Sequence, residues 1–448
     1  MYVPVWLCIP FAGLLACVAL GPVLFSEWWE KNEPKAVIAW ACAALALCVP
    51  VLGAKQTAEL AAETLLNDYV SFIVLLFGLY CVAGNITFEG DLAGSPRVNI
   101  VLLTMGTLLS SVIGTTGSSM LMIRPVIKMN SWRRHKGHIM IFFIFLVSNL
   151  GGCLTPLGDP PLLMGFMRGV PFFWSLHLFA PMLLNMIVLS AVFYPIDLHY
   201  YRRDVMRGRR PDISAPGTEL KVGGAHNLIF IVMIVSAVIA SGVLPNLSAF
   251  QDETGAAAGI RVMENVKLTY PALIEIAVIL AAAWLSFATT NPENRRKNHF
   301  TWASIREVAV LFIGIFITMQ PALMLLREYG GKMALTKPWE MFWATGALSS
   351  FLDNTPTYLV FLTAAGALGE PAGVSTSLGL VPVRLLEAVS AGAVFMGANT
   401  YIGNAPNFMV KSISEENGVS MPSFFGYMKW SLGCLVPVFL LDMLVFFR

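Results

Sequence analysis

The stretch NLGGCLTPLGDPP at residues 149–161 interrupts one of the most apolar parts of the chain. It contains three glycines, three prolines and an aspartate, between the apolar runs 138–148 and 162–167. Because a helix needs about 20 mostly apolar residues to cross a bilayer, 138–168 predicts a membrane span whose helix is broken midway. Lipid cannot pair the free backbone groups of such a break, so the break must lie against protein or a hydrated cavity.

The composition of the whole chain supports a membrane protein. Of its 448 residues 56% are hydrophobic and 12% charged, against about 25% charged residues in soluble domains. The 29 basic residues nearly balance the 27 acidic ones, so nothing indicates a nucleic-acid partner, and the expected partner is the lipid bilayer. Nucleotide-binding, metalloprotease and nucleophile-elbow motifs do not occur, so we predict a transporter driven by an ion gradient and not an enzyme.

The hydropathy pattern predicts about ten spanning helices and two re-entrant hairpins. The hairpins, at 98–129 and 339–369, are each interrupted halfway by small and polar residues, and each half of about a dozen residues is too short to cross a bilayer. The ten spans are predicted near 3–25, 36–53, 68–86, 138–168, 173–198, 226–245, 270–290, 301–326, 383–413 and 423–447.

Basic residues predict the orientation of the spans. Lys and Arg cluster in the segment 124–138 and in the loops after residues 198 and 290, so these three segments are expected in the cytoplasm. Both termini then lie outside, the first hairpin enters from the cytoplasm, and the second enters from the opposite side.

Two pairs of similar motifs, about 240 residues apart, indicate an internal repeat. The first pair is SSVIGTTG at 110–117 and SSFLDNTP at 349–356. The second pair is TPLGDPP at 155–161 and TYIGNAP at 400–406. Since each repeat has five spans, the second copy is inverted, an architecture typical of secondary transporters.

The predicted fold is therefore an all-α polytopic membrane protein of two inverted repeats. The first repeat covers 1–200, with its hairpin at 98–129 and a broken helix at 138–168. A basic cytoplasmic linker follows at 201–220. The second repeat covers 221–448, with its hairpin at 339–369 and a broken helix at 383–413.

Asp159 and Asp353 lie inside two of the four interruptions. A carboxylate at bilayer depth is costly and usually functional, because it can bind a hard cation through oxygen or accept a proton. Both aspartates also precede a predicted helix, where aspartate is a good N-cap. Capping is therefore the structural alternative, and the two roles can coexist.

Neutral oxygens and amides in the same zones extend the candidate site. Their alternative role is hydrogen bonding between helices, which is common for Ser, Thr and Asn in membranes. The candidates are Thr115, Thr116, Ser148, Asn149, Thr155, Asn354, Thr355, Asn399, Thr400, Asn404 and Asn407.

The motifs at 149–161, 351–356 and 397–404 resemble those of the ion transporter superfamily. Within it the chain most resembles the branch of NhaD-type sodium/proton antiporters, arsenite permeases and citrate-transporter-like proteins. The resemblance covers nearly the whole chain, although the motifs are much less specific for substrate. It implies a homodimer with a scaffold domain and a transport domain of hairpins and broken helices that moves like an elevator.

The resemblance also bears on the substrate. NhaD-type antiporters bind sodium and protons at acidic residues in such breaks, and residues 158–159 and 353–354 match that pattern. In the dicarboxylate branch the second hairpin tip would have Ser where this chain has Asp353, and we expect no Arg or Lys at the site, since Arg124 is placed at the cytoplasmic end of a hairpin. This departure favours a small cation over a di- or tricarboxylate.

The leading hypothesis is a sodium (or lithium)/proton antiporter with Na⁺ at Asp159 and Asp353, coupled to H⁺ and without a cofactor. The first alternative is a sodium- or proton-coupled transporter of citrate, another carboxylate or arsenite. A receptor or scaffold without transport and a channel are further alternatives. A multi-pass protein of a bacterial inner membrane is expected. Asp442 is placed near the outer surface, with its carboxylate snorkelling to water.

Overall fold

A computed structural model describes residues 3–89, 93–209, 221–252, 255–329 and 335–448. It is 75% helical, with almost no sheet, which confirms the all-α polytopic membrane class. The predicted linker, 201–220, lies outside the described residues from position 210 onward.

Nineteen α-helices lie within the described residues. Those before the linker are α1 (Ile9–Leu24), α2 (Ser26–Leu52), α3 (Ala54–Glu63), α4 (Val70–Gly84), α5 (Pro96–Ile113), α6 (Thr115–Met129), α7 (Gly137–Leu146), α8 (Pro160–Met167) and α9 (Phe179–Met206). Those after it are α10 (Asn227–Val243), α11 (Tyr270–Thr289), α12 (Pro292–Lys297), α13 (Ala303–Thr318), α14 (Gln320–Tyr329), α15 (Pro338–Ser349), α16 (Asn354–Gly366), α17 (Val383–Met396), α18 (Ala405–Glu416) and α19 (Phe424–Phe446).

Short 3-10, π and β segments connect the helices. The 3-10 turns that matter below are Leu150–Leu154, Phe172–Leu178 and Gly397–Asn399, and a π-helical turn, Thr64–Tyr69, joins α3 to α4. In the part of the chain that the structure describes, three antiparallel pairs of strands form small sheets: β1 (Thr87–Glu89) with β2 (Lys221–Gly223), β3 (Gly259–Arg261) with β4 (Lys267–Thr269), and β5 (Val374–Thr376) with β6 (Gly379–Val381).

Eight helices of the described chain are long and apolar enough to cross a membrane. A ninth results if α13 and α14 form one span, which is bent by 41°. The predicted N-terminal span, 3–25, contains a shorter apolar helix at Val5–Gly21. The predicted spans 138–168 and 383–413 are both interrupted, the first between α7 and α8 and the second between α17 and α18.

Each predicted hairpin region contains two helices joined at the polar interruption. In the second region α15 has 12 residues and α16 has 13, the expected length of about a dozen. In the first, α5 has 18 residues and α6 has 15, and α5 is one of the eight helices long enough to cross, so the prediction that each half is too short is wrong for α5. Gly114, with φ of 81°, joins α5 to α6 in a backbone conformation that favours glycine.

The broken helices lie in the interior of the protein. In the apolar segment Gly137–Leu154 89% of the residues are buried by protein, compared with 22% in Asn227–Asn246 and in Tyr270–Thr289. Large side chains such as Phe142, Phe143 and Phe395 pack in this core. The interrupted segments are therefore surrounded by protein, whereas α10 and α11 present most of their surface outward.

A buried charge cluster connects the first hairpin to α9. Asp197 on α9 forms an ion pair with Arg133 at 2.5 Å and contacts His138 Nε2 at 2.8 Å. Asn99 on α5 donates to the second carboxylate oxygen of Asp197 at 2.9 Å. Because Asp197 and Arg133 compensate each other away from water, they can lie in the same apolar packing as their neighbours.

Candidate functional site

Matching hydrogen bonds hold the two breaks against the two hairpin tips. In the first break Thr155 Oγ1 donates to the carbonyl of Ser111 at 2.5 Å. In the second break Thr400 Oγ1 donates to the carbonyl of Ser350 at 2.5 Å. Thr155 and Thr400 were predicted as site residues, and in the structure each forms a hydrogen bond that joins a hairpin tip to its break.

Close glycine contacts fold each break back on itself. A Cβ atom on Gly158 would lie 2.2 Å from the carbonyl oxygen of Gly152, and one on Gly403 would lie 2.5 Å from that of Gly397. No real Cβ tolerates such distances from backbone, so both positions require glycine. The two breaks therefore share this close approach of glycine to glycine, although their sequences agree at few positions.

We expect Gly158→Ala and Gly403→Ala each to slow transport, by about 5- to 150-fold where the overpacking cost of about 1–3 kcal/mol falls on a step that rearranges the break. Initial rates in proteoliposomes with equal amounts of protein measure the effect. Gly433→Ala on α19 is the matched control, because its Cβ would meet nothing within 4 Å. Equal transport rates for Gly158→Ala and Gly433→Ala would show that transport does not depend on the close contact between Gly158 and Gly152.

Three asparagines cross-link the two breaks. Asn149 Nδ2 donates to Asn407 Oδ1 at 2.7 Å, and Asn404 Nδ2 approaches Asn149 Oδ1 at 3.2 Å. Asn407 also donates to the carbonyls of Gly397 and Thr400, each at 2.9 Å. The free carbonyls of the second break are thus paired by a side chain that follows it, as non-helical backbone inside a membrane requires.

Asp159 lies where these elements converge. The carboxylate is 1% exposed and accepts hydrogen bonds from Thr115 Oγ1 at 2.9 Å and Asn354 Nδ2 at 2.5 Å. Asn404 Nδ2 approaches the carboxylate at 3.3 Å. Both hairpin tips and the second break therefore direct a neutral donor at this one carboxylate.

The structure separates the capping roles of the two aspartates. The side chain of Asp159 makes no capping hydrogen bond to α8, although it stands at the N-cap position. The side chain of Asp353 does cap α16, because its Oδ1 accepts from the Thr355 backbone N–H at 2.9 Å. Helix capping therefore accounts in part for an aspartate at position 353, but not for the buried carboxylate at position 159.

The remaining predicted residues lie around this centre. Asn354, between Asp353 and Thr355, directly links the second tip to Asp159. Asn399 donates to Ser350 Oγ at 2.9 Å, and its own Oδ1 has no partner among the described residues. Thr116 does not contact Asp159 but lines an adjacent cavity.

That cavity has a volume of about 800 Å³ and connects to the site through Asp353 and Asn404, which both line it. Charged residues of both signs also line it: Glu33, Arg124, Arg306, Glu307 and Glu416. Arg124 lines this cavity from near the C-terminal end of α6, nine residues after Thr115 at the hairpin tip. No hydrogen bond or ion pair joins it to Asp159 or Asp353 among the described residues, so the expectation of no Arg or Lys at the site stays a prediction.

The hypothesis that Asp353 binds a cation predicts that Asp353→Asn weakens apparent cation affinity about tenfold or more, about 1.4 kcal/mol, while the thermal midpoint stays near that of the wild type. Asparagine is as good an N-cap as aspartate but lacks its charge, so the substitution removes only the electrostatic role. Asp353→Ala removes both and should in addition destabilise the protein by about 1 kcal/mol. A cation dependence unchanged in Asp353→Asn would leave capping as the sole role of Asp353.

Two hairpin tips and two broken helices around a buried carboxylate are the arrangement of a secondary transporter, with its site where unwound backbone meets. This transporter is of the citrate-transporter type. The chain belongs to the CitMHS_2 family, described as "Putative citrate transport", which matches residues 1–447. No curated protein matches the sequence. The family confirms the predicted citrate-transporter-like resemblance, multi-pass membrane character and non-enzymatic activity, while the NhaD-type and arsenite assignments stay predictions.

Proposed function

We propose that the protein exchanges Na⁺ or Li⁺ for H⁺, with Asp159 and Asp353 as the shared binding groups. One observation carries the proposal: the side chains that donate to buried Asp159 are those of Thr115, Asn354 and Asn404, and all are neutral. A buried carboxylate without a counter-charge is costly, and either a cation or a proton removes that cost. Competition of the two ions for one carboxylate couples their fluxes.

The oxygens around the carboxylate suit a hard monovalent cation. Hydroxyl, amide and carbonyl oxygens belong to the same tips and breaks that hold Asp159, and unwound backbone of this kind coordinates sodium in secondary transporters. Both tips already contact Asp159, so a cation bound there would lie between the tips and the breaks. In the proposed cycle the hairpins and broken helices move as one transport domain in an elevator-type motion, within a homodimer in a bacterial inner membrane.

The test is a pH-sensitive dye inside proteoliposomes that hold the purified protein. Addition of sodium outside should change the internal pH for the wild type and should not do so for Asp159→Asn combined with Asp353→Asn. Choline in place of sodium is the matched ionic control. An absent response in the wild type, or an undiminished one in the double variant, would reject the exchange.

A second candidate function, cation-coupled uptake of a carboxylate such as citrate, is favoured by Arg124. Its buried Nη1 has no hydrogen-bond partner among the described residues, and the side chain lines the same cavity as Asp353. A guanidinium with a free N–H group is well suited to bind a carboxylate. The family's description points the same way.

Labelled citrate uptake separates the two candidates. If citrate is the substrate, uptake into proteoliposomes should require sodium or a proton gradient, and Arg124→Gln should abolish it. Arg124→Lys keeps the charge but loses the planar pair of donors, so it should restore uptake only in part. Sodium/proton exchange that survives in Arg124→Gln, without any citrate uptake in the wild type, would leave the antiporter as the function.

A further inference from the structure

Helices α9 and α19 contact each other through a buried pair of polar side chains far from the breaks in sequence. Asn185 and Asp442 are both 0% exposed, and Asn185 Nδ2 donates to Asp442 Oδ2 at 2.6 Å. The same amide nitrogen donates to the carbonyl of Pro181 at 2.8 Å. The expectation that Asp442 snorkels to the surface is wrong, because its side chain points into the α9–α19 contact.

Two oxygens of this pair lack a donor. Asp442 Oδ1 and Asn185 Oδ1 have no hydrogen-bond partner among the described residues. Both atoms are acceptors when the carboxyl is ionised, so neither can satisfy the other. A buried acceptor without a donor is costly, and in an apolar helix contact water is a poor substitute.

The equivalent aspartate in the first repeat is satisfied differently. Asp197 precedes Asp442 by 245 positions, the same offset that separates Thr155 from Thr400. Asp197 pairs with the guanidinium of Arg133 at 2.5 Å. Asp442 has a neutral amide where Asp197 has a cation, so no cation among the described residues of the contact stabilises a negative charge on Asp442.

No charged or titratable group on the neighbouring elements gives Asp442 the counter-charge that Arg133 gives Asp197 in the described chain. Cys153, in the first break, lies within electrostatic range of both Asp442 and Asp159, but its thiol is neutral. On α17, Arg384 donates to the carbonyl of Phe446, one turn of α19 beyond Asp442, and its charge acts on Glu387 together with that of His177. Neither Arg384 nor His177, the two basic residues among these neighbours, forms an ion pair with Asp442 in the described chain.

We propose that Asp442 and Asn185 form a proton-binding site, separate from Asp159 and Asp353. A proton on Oδ1 of Asp442 turns that oxygen into a donor, and the oxygen of Asn185 is the acceptor beside it. Acid and amide then form two hydrogen bonds in opposite directions, and both oxygens are satisfied. Hard cations prefer about six oxygen ligands, whereas this pair offers two unpaired oxygens, so a proton fits better than sodium.

Infrared difference spectroscopy of the full-length protein tests the proposal. Near neutral pH the wild type should show the carbonyl band of a protonated carboxylic acid, and Asp442→Asn should lack it. Asn185→Leu should keep the band but shift it toward the position of an acid without a hydrogen bond. A band that is the same in wild type and Asp442→Asn, or only carboxylate bands in their difference, would overturn the proposal.

Two further measurements complete the test: the effect of sodium on the infrared band, and the thermal midpoint of Asp442→Asn. Replacement of choline by sodium should leave the band unchanged, and its loss would overturn the proposal by showing that a cation occupies the pair. The amide introduced by Asp442→Asn would present an N–H group to Asn185 as the protonated acid does, so this variant should keep the wild-type thermal midpoint. A strongly lowered midpoint in Asp442→Asn would contradict a neutral Asp442.

Discussion

Asp159→Asn should reduce cation-driven transport by about 100-fold or more. Removal of one partner of a buried ion pair costs about 3–5 kcal/mol, and every 1.4 kcal/mol is a factor of ten in affinity. The substitution removes the carboxylate that contacts the tips of both hairpins. It also places an NH₂ group among donors from Thr115, Asn354 and Asn404, so one of these donors loses its acceptor. The expected result is the same for exchange of Na⁺ for H⁺ and for cation-coupled citrate uptake.

Thr115→Ser is the matched control for this prediction. Serine keeps the hydroxyl that donates to Asp159, so transport should remain within a few-fold of the wild type while Asp159→Asn loses it. Sodium-dependent transport in proteoliposomes and the thermal midpoint in detergent are measured for each variant. Wild-type transport in Asp159→Asn would mean that the convergence of donors on this carboxylate is structural.

The breaks were predictable because their composition conflicts with their surroundings. Glycine, proline and aspartate inside an apolar run exclude a continuous helix, and residues 149–161 were identified on that basis. The second break, 400–406, has no aspartate and was identified through its similarity to 155–161. What the sequence could not decide is where the side chain of Asp159 points, since an N-cap and an ion ligand have the same local pattern. Only the packing of the second hairpin tip, 195 residues away, separates the two roles.

Residues that act through another helix were harder to predict. Asn149 and Asn407 pair across 258 positions, and Asn185 and Asp442 across 257. Asp442 lies near the end of a span, a position typical of a snorkelling residue, and nothing local reveals that α9 covers it. The same limit applies to Arg124, because the face that a helix turns to a cavity depends on tertiary packing. The membrane orientation of the two repeats stays a prediction from the basic loops.

The ion pair of Arg133 and Asp197 should give the largest stability effect in the chain. Both side chains are 0% exposed, and Arg133 pairs with Asp197 at 2.5 Å. Asp197→Asn leaves the guanidinium buried without a counter-charge, which should lower the free energy of unfolding by about 3–5 kcal/mol. Chemical denaturation in detergent micelles measures the loss. Arg133→Met should destabilise the protein by a similar amount, because Asp197 is then left without a guanidinium.

Replacement of both charges at once distinguishes loss of charge balance from loss of packing. Arg133→Met with Asp197→Leu removes the pair together, and apolar side chains of similar volume are often neutral or better than a buried ion pair. The double variant should therefore recover most of the stability that either single variant loses. If it is as unstable as Asp197→Asn, the hydrogen bonds of Asp197 to Asn99 and His138 hold the cluster, and not the charge pair. Asp442, the aspartate 245 positions after Asp197, faces the amide of Asn185 and not a cation. Asp442→Asn should therefore leave no cation unpaired and should not lower the free energy of unfolding as Asp197→Asn does.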